Sequence, residues 1–116
     1  MTGVRTLIVN ADDFGLTAGV SRGILEAGAK GIVLDLRYNG GGDNGLARTF
    51  VQRVSANATI NKRGHLFVIT GRETYSAAMN FPSLLEERTA AIFVGEPPGG
   101  APSHYGDNTQ FTLPES

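Results

Sequence analysis

Three features are scarce in this chain of 116 residues: cysteine, long apolar runs and a surplus of charge of one sign. Without any Cys, disulfides and thiolate metal sites are excluded. No apolar run approaches the roughly 20 residues of a membrane helix, and the N-terminal residues do not resemble a signal peptide. Because the net charge is −1 and the basic residues are scattered, neither nucleic acid nor a membrane is expected as a partner. We therefore expect a soluble chain, cytoplasmic if expressed as written.

The rest of the composition is that of an ordinary globule, with 41% hydrophobic and 18% charged residues. The length predicts one domain, residues 1–116, and a chain of this size buries roughly 65% of its unfolded surface, enough for a single core. The unusual count is 16 Gly, with clusters at 40–42 and 95–100. Such clusters indicate tight turns and close backbone approaches.

Short apolar runs alternate with amphipathic segments along the chain. The apolar runs are typical of buried strands and lie at residues 6–9, 31–36, 66–70, 90–94 and 110–113. The amphipathic segments predict helices over residues 18–27, 44–54 and 74–87. Pro82 lies within the last of these and is expected to kink it or divide it.

The resulting order, β-α-β-α-β-α-β-β, predicts an α/β fold. The connections are long enough for right-handed crossovers, so we expect a mostly parallel sheet of four to five strands with three flanking helices. If the helices lie on one side only, the sheet keeps an exposed apolar face. A homodimer formed through that face or through a sheet edge is therefore expected.

The first chemical signal is the pair Asp12 and Asp13, which follows the first predicted strand. Neighbouring side chains of an extended segment point in opposite directions, so one carboxylate can hold a metal while the other moves a proton. The alternative is a turn cap before Phe14. The surrounding residues 5–27 read RTLIVNADDFGLTAGVSRGILEA and resemble the N-terminus of YdjC-like carbohydrate deacetylases.

That resemblance implies a (β/α) barrel in which one Asp is the general base and the other is a metal ligand beside histidines from later strands. Here it ends at residue 27, and the two histidines, His65 and His104, both lie beyond it. A metal site needs about three protein ligands at fixed geometry. We therefore expect only a remnant of the metal site at Asp12 and Asp13, and no cofactor.

The second signal combines a glycine turn with a serine. Asp35 to Gly42 read DLRYNGGG, and backbone N–H groups in such a turn can stabilise an oxyanion. Ser76 follows a strand and a short turn at the start of a helix, where negative charge is favoured, and the amide of Ala77 offers a second donor. The alternative is that Ser76 only caps the helix.

Three motifs in residues 31–116, DLRYNGGG, TYSAA and VGEPPGG, resemble the catalytic segment of tail-specific (C-terminal-processing) serine peptidases. The resemblance implies a crotonase-like fold, Ser76 as the nucleophile, and an oxyanion hole formed by Gly41 or Gly42 with Ala77. Typical members place a Lys after VGE, but residues 97–104 contain none. His104 is the base available there, and it is otherwise an exposed loop residue.

Near Gly28–Lys30 the resemblance changes from a deacetylase to a peptidase, and our interpretation of the whole chain follows from this change. We expect a recombined or designed chimeric scaffold in which a deacetylase-like βα unit, residues 1–28, precedes a peptidase-like segment, residues 29–116. On this reading no active site is complete. The alternative is a serine hydrolase or peptidase that uses Ser76, and the third hypothesis is a metal-dependent deacetylase remnant.

The incomplete ligand set at Asp12 and Asp13 leads to the first prediction. Calorimetric titration of the chain with zinc or magnesium is expected to release the same heat as titration of Asp13→Ala, because two carboxylates alone do not complete a site. Heat that disappears in Asp13→Ala would contradict this expectation.

Overall fold

Four short strands form one parallel sheet in the computed structural model, which describes residues 6–10, 23, 28–40, 44–75 and 77–100. The strands lie in the order of the sequence: β1 (Thr6–Asn10), β2 (Gly31–Asp35), β3 (Leu66–Thr70) and β4 (Ile92–Gly95). Both central strands, GIVLD and LFVIT, are nearly continuous apolar runs, as expected for parallel strands with neighbours on both sides.

The structure gives the bounds of two helices in the described residues, and both connect strands of the sheet. Helix α1 (Asn44–Ser55) follows β2, and helix α2 (Ala77–Arg88) follows β3. Apolar residues of α1 recur at spacings of three and four, so one stripe of the helix is buried: Ala47, Phe50, Val51 and Val54. Neither of these helices is long and apolar enough to cross a membrane.

Both described helices pack on the same face of the sheet. Side chains alternate between the faces of a strand, and the register places Val9, Leu34 and Val68 side by side. These residues form one core cluster with the buried stripes of α1 and α2, and the Phe50 and Phe81 rings meet edge to face at 5.5 Å. Full burial of each large apolar side chain contributes about 1.5–3 kcal/mol. The sheet and helices are therefore held together from one side.

The opposite face of the sheet is also apolar. One row of the register joins Ile8, Val33, Phe67 and Ile92 across all four strands. In the neighbouring row lies Val94, which is 43% exposed, and Ile8 is 68% exposed. Since α1 and α2 pack on the other face, neither covers this surface.

The predicted α/β class and parallel sheet are confirmed. Of the predicted helix over 18–27 only Gly23 is described, and it is helical; the predicted strand over 110–113 lies outside the described residues. Of the two outcomes predicted for Pro82, a kink or a division of the helix, the division is wrong, since α2 continues through Pro82. Pro82 removes one backbone hydrogen bond, but Phe81 and Leu85 on either side of it are anchored in the core.

Two element boundaries also differ from the prediction. Helix α2 begins at Ala77 rather than at residue 74, for a reason described with the site below. Strand β4 begins at Ile92 rather than at Ala90. The Ala90 amide donates instead to the side-chain oxygen of Asn61, and the Ala91 amide donates to the hydroxyl of Thr89. These amides are therefore not used in a ladder with β3.

The second apolar face leads to a prediction about self-association. Light scattering is expected to give an average mass that rises with protein concentration, since pairing two such faces removes apolar surface from water. Replacing Ile8, the most exposed large apolar residue of the face, by Thr is expected to shift this rise to higher concentration. A monomer mass at every concentration would contradict the homodimer.

Candidate functional site

Three chain segments meet at the carboxyl edge of the sheet. They are residues 36–40 after β2, residues 71–75 after β3, and residues 96–100 after β4. The carboxyl ends of parallel strands meet at one edge, and α/β proteins commonly bind ligands there. Each segment overlaps one of the three motifs found in the sequence.

The first two segments are joined by Thr74, whose side chain is completely buried. Its hydroxyl donates to the carbonyl oxygen of Leu36 at 2.7 Å and accepts the amide of Gly71 at 3.1 Å. The Thr74 amide donates to the Gly71 carbonyl at 3.0 Å, closing the turn. Thr74 is thus bonded inside the turn, which explains why α2 starts three residues later.

A backbone bond completes this joint. The Tyr75 amide donates to the carbonyl oxygen of Asn39 at 3.0 Å. Asn39 comes directly before the glycine run at 40–42, and Tyr75 comes directly before Ser76. The two chain segments that lead into the predicted oxyanion turn and the predicted nucleophile are therefore hydrogen-bonded to each other.

The third segment is held against the second by close backbone packing. The Glu96 amide donates to the Thr70 carbonyl at 3.2 Å, and the Thr70 hydroxyl donates to the Glu96 carbonyl at 2.9 Å. Gly95 has a φ of 99°, and a Cβ there would collide with the Thr70 carbonyl oxygen. A Cβ on Gly99 would collide with the Arg72 carbonyl oxygen. Glycine is needed at both positions for this approach.

An ion pair lies at the base of the first segment. The Arg37 guanidinium donates to the Asp35 carboxylate through Nε at 3.0 Å and Nη2 at 2.8 Å, and the Arg37 amide donates to Oδ1 at 3.1 Å. Asp35 is buried, whereas half of the Arg37 side chain is exposed. These hydrogen bonds lower the pKa of the Asp35 carboxyl below its ordinary value of 3.8, against the opposing effect of burial.

A cavity of about 380 Å³ opens beside α2 at the same edge. Its apolar wall includes Pro82, Phe93 and Pro98, and the carboxylates of Glu86 and Glu96 lie at its polar positions. Glu96 also pairs with Arg72 at 3.2 Å in an exposed salt bridge. The cavity offers room for an apolar group beside Thr70, the last residue of β3.

The opposite, amino edge of the sheet carries other ionisable groups. Lys30 directly precedes β2, and Lys62 and His65 precede β3. His65 Nδ1 lies 2.8 Å from the Lys30 carbonyl oxygen, to which it donates in the matching tautomer. A strand of five residues spans roughly 16 Å. Both lysines of the chain and one of its two histidines therefore lie at the edge of the sheet opposite to Tyr75.

Most residues predicted for the sites lie outside the described part of the chain: Asp12, Asp13, Gly41, Gly42, Ser76 and His104. Of the predicted oxyanion donors, the backbone of Ala77 is described, and it is the first residue of α2. Within the described residues, no three His, Cys, Asp or Glu side chains are grouped so that they could hold a metal ion.

Sequence reasoning missed the role of Thr74. The sequence predicts that Thr74 or Tyr75 opens a helix, whereas Thr74 joins two segments at the sheet edge. The sequence feature that could have indicated this role is the position of Thr74, two residues before Ser76 in the TYSAA motif. That spacing does not reveal a partner 38 residues away in the sequence.

The Asp35–Arg37 pair leads to a prediction about pH. Because the folded-state pKa of Asp35 is lowered, the pair stabilises the fold above the ordinary pKa and loses this effect as the pH falls through the folded value. Chemical denaturation of wild type and Asp35→Asn is expected to show a difference in unfolding free energy at neutral pH that shrinks steadily below about pH 4. A constant difference would contradict this. Glu73→Gln, at an exposed carboxylate of the neighbouring segment, is the control.

No protein-family model matches the chain, and no curated protein matches it. Among solved structures, the fold is similar to that of a photosystem II D1 C-terminal processing protease, with a TM-score of 0.52 and 17% sequence identity. The match covers 83% of this chain and 31% of that protease chain, so the present chain spans less than a third of its length. The comparisons give no support to the deacetylase resemblance of residues 1–28. At this identity, the similarity shows a shared fold.

Proposed function

We propose that the chain carries the nucleophile and oxyanion parts of a serine hydrolase of the C-terminal-processing peptidase type. Ser76 is the nucleophile, and the backbone N–H groups of Gly41 or Gly42 and of Ala77 bind the oxyanion. The observation that carries the proposal is the joint between the segments: Tyr75 donates to Asn39, and Thr74 donates to Leu36.

This joint supports the proposal because it limits the distance between two positions. Consecutive Cα atoms are about 3.8 Å apart, so the residue after Tyr75 cannot be far from the residue after Asn39. An acyl-transfer site needs its nucleophile and its oxyanion donors within reach of one carbonyl group. The bond between the two segments therefore supports the proposal that Ser76 and the glycine turn act on one carbonyl group.

The start of α2 adds an electrostatic argument. The first N–H groups of a helix have no partner within the helix, and the helix dipole makes this end positive. Because α2 begins at Ala77, an oxyanion formed next to Ser76 would face these groups. The similar fold of a C-terminal processing protease agrees with this arrangement. The finer expectation, a crotonase-like fold, belongs to the same proposal.

The choice of general base follows from the two edges of the sheet. Lys30, Lys62 and His65 belong to the amino edge, and the His65 ring is bonded to the Lys30 carbonyl. We therefore assign the base to His104, which follows the segment packed against the 71–75 turn. In the sequence, His104 lies in the stretch after VGE, where the resembled peptidases carry their lysine.

The proposed reaction is acyl transfer in two steps. The Ser76 hydroxyl attacks the carbonyl carbon of the substrate while His104 accepts its proton, and the backbone N–H groups stabilise the tetrahedral oxyanion. Collapse of this intermediate expels the leaving amine, which takes the proton from His104, and leaves an ester on Ser76. Water attacks the ester with the same base, releasing the acid and restoring the serine. The apolar cavity beside α2 is suited to an apolar substrate group.

A second candidate is a chimeric scaffold with no complete active site, joined near Gly28–Lys30. The observation that favours it is the lack of any lysine in residues 97–104, together with the placement of both lysines at the amino edge. On this hypothesis, the hydrogen bonds of Thr74 serve folding alone. The deacetylase remnant at Asp12 and Asp13 is a third hypothesis, and no described contact favours it.

Labelling with a fluorophosphonate distinguishes the two main candidates. Wild type and Ser55→Ala, a control at the end of α1, are expected to take up label, and Ser76→Ala is expected to take up none. His104→Ala is expected to label about 10²–10⁴-fold more slowly, the usual effect of losing a general base. If folded wild type takes up no label, the scaffold hypothesis replaces the enzyme.

A further inference from the structure

We propose that the Thr74 hydroxyl is a positioning group, which holds the segment before Ser76 against the segment before the glycine turn. In its effect on catalysis, this inference rests on the proposed function. The contacts of the hydroxyl do not depend on that function, because they join two chain segments at the sheet edge.

The hydrogen-bonding capacity of a threonine hydroxyl matches the two partners found here. Such a group has one donor hydrogen and two acceptor lone pairs. The hydrogen goes to the Leu36 carbonyl, and one lone pair accepts the Gly71 amide. Leu36 continues from β2 and Gly71 from β3, so one oxygen atom connects the ends of two adjacent strands.

Burial makes this connection hard to replace by solvent. Thr74 and Leu36 are fully buried and Gly71 is also buried, so water has little access to their polar atoms. No buried side-chain nitrogen or oxygen in the described part of the chain lacks a hydrogen-bond partner. A valine at position 74 keeps nearly the same shape but removes the partner of the buried Gly71 amide, while the Leu36 carbonyl keeps the hydrogen bond from the Asn39 amide.

The consequence for catalysis follows from the next bond along the chain. Tyr75 donates to Asn39 immediately after the Thr74 joint, and Ser76 comes next. Without the hydroxyl, we expect the two segments to separate slightly at their buried end, which displaces the nucleophile from the oxyanion donors. A displacement of about 1 Å can lower the rate by 10²-fold. Substrate binding depends on other contacts, so kcat falls while KM changes little.

The fold provides a matched control in Thr89. Its hydroxyl also bonds two backbone groups, donating to the Leu85 carbonyl and accepting the Ala91 amide. Thr89 lies between the end of α2 and the start of β4, at the amino edge of the sheet. Thr89→Val therefore removes a comparable pair of hydrogen bonds far from the proposed site.

The test compares Thr74→Val, Thr74→Ser and Thr89→Val by amide hydrogen exchange and by fluorophosphonate labelling. In Thr74→Val, the Gly71 and Tyr75 amides are expected to exchange at least tenfold faster than in wild type, while the Leu34 and Val68 amides in the core keep their rates. Labelling is expected to fall about 100-fold. Thr74→Ser, which retains the hydroxyl, is expected to restore both, and Thr89→Val is expected to change neither.

Unchanged exchange at Gly71 and Tyr75 in Thr74→Val would overturn the inference, as would acceleration spread equally over the whole core. If Thr74→Val does not fold, the smaller residues in Thr74→Ser and Thr74→Ala decide by the same measurement: serine must protect the two amides and alanine must not. Absence of label in wild type overturns the proposed function alone, because exchange still reports whether the hydroxyl joins the segments.

Discussion

The arrangement of the whole domain depends on burying one face of a parallel sheet. Strands that follow one another in sequence and in space require a crossover for each step, and crossovers of one hand keep their helices on one side. Phe50 of α1 and Phe81 of α2 meet over β2 and β3 for this reason. The same constraint sends every strand in one direction, so the segments that follow β2, β3 and β4 emerge at a single edge. The candidate site is thus a geometric result of how the core is formed.

At that edge the chain segments are held together through backbone groups and two threonine hydroxyls. Hydroxyl groups of Thr70 and Thr74 bond to carbonyl oxygens of neighbouring segments, and Gly95 and Gly99 allow close backbone approach. The charged residues are arranged differently: both lysines and His65 lie at the amino edge, and the Arg37 charge is engaged by Asp35. In the proposed function, an oxyanion would therefore be stabilised mainly by amide groups, and a group after residue 100 would accept the proton.

The sequence predicted the parts of the fold that depend on local pattern. Strand β3 was predicted over its full extent, because an apolar run is bounded there by Gly64-His65 and Gly71. Helix α1 was predicted to within one residue of its end from the spacing of its apolar stripe. The predicted starts of α2 and β4 were both wrong, and the two errors have one physical cause. At both, side-chain hydrogen bonds to partners distant in sequence, from Thr74 to Leu36 and from the Ala90 amide to Asn61, compete with the regular backbone pattern.

The two threonine hydroxyls connect the edge segments in series. Thr74 joins the end of β2 to the turn after β3, and Thr70 joins the end of β3 to the loop after β4. Both connections start from one stretch of chain, Thr70 to Thr74, so loosening that stretch weakens both of them. Local unfolding of this kind occurs in cooperative units that often coincide with supersecondary motifs. We therefore expect the stretch from Thr70 to Thr74 to control how the carboxyl edge opens, so that a ligand held by this stretch also slows the exposure of the two neighbouring segments.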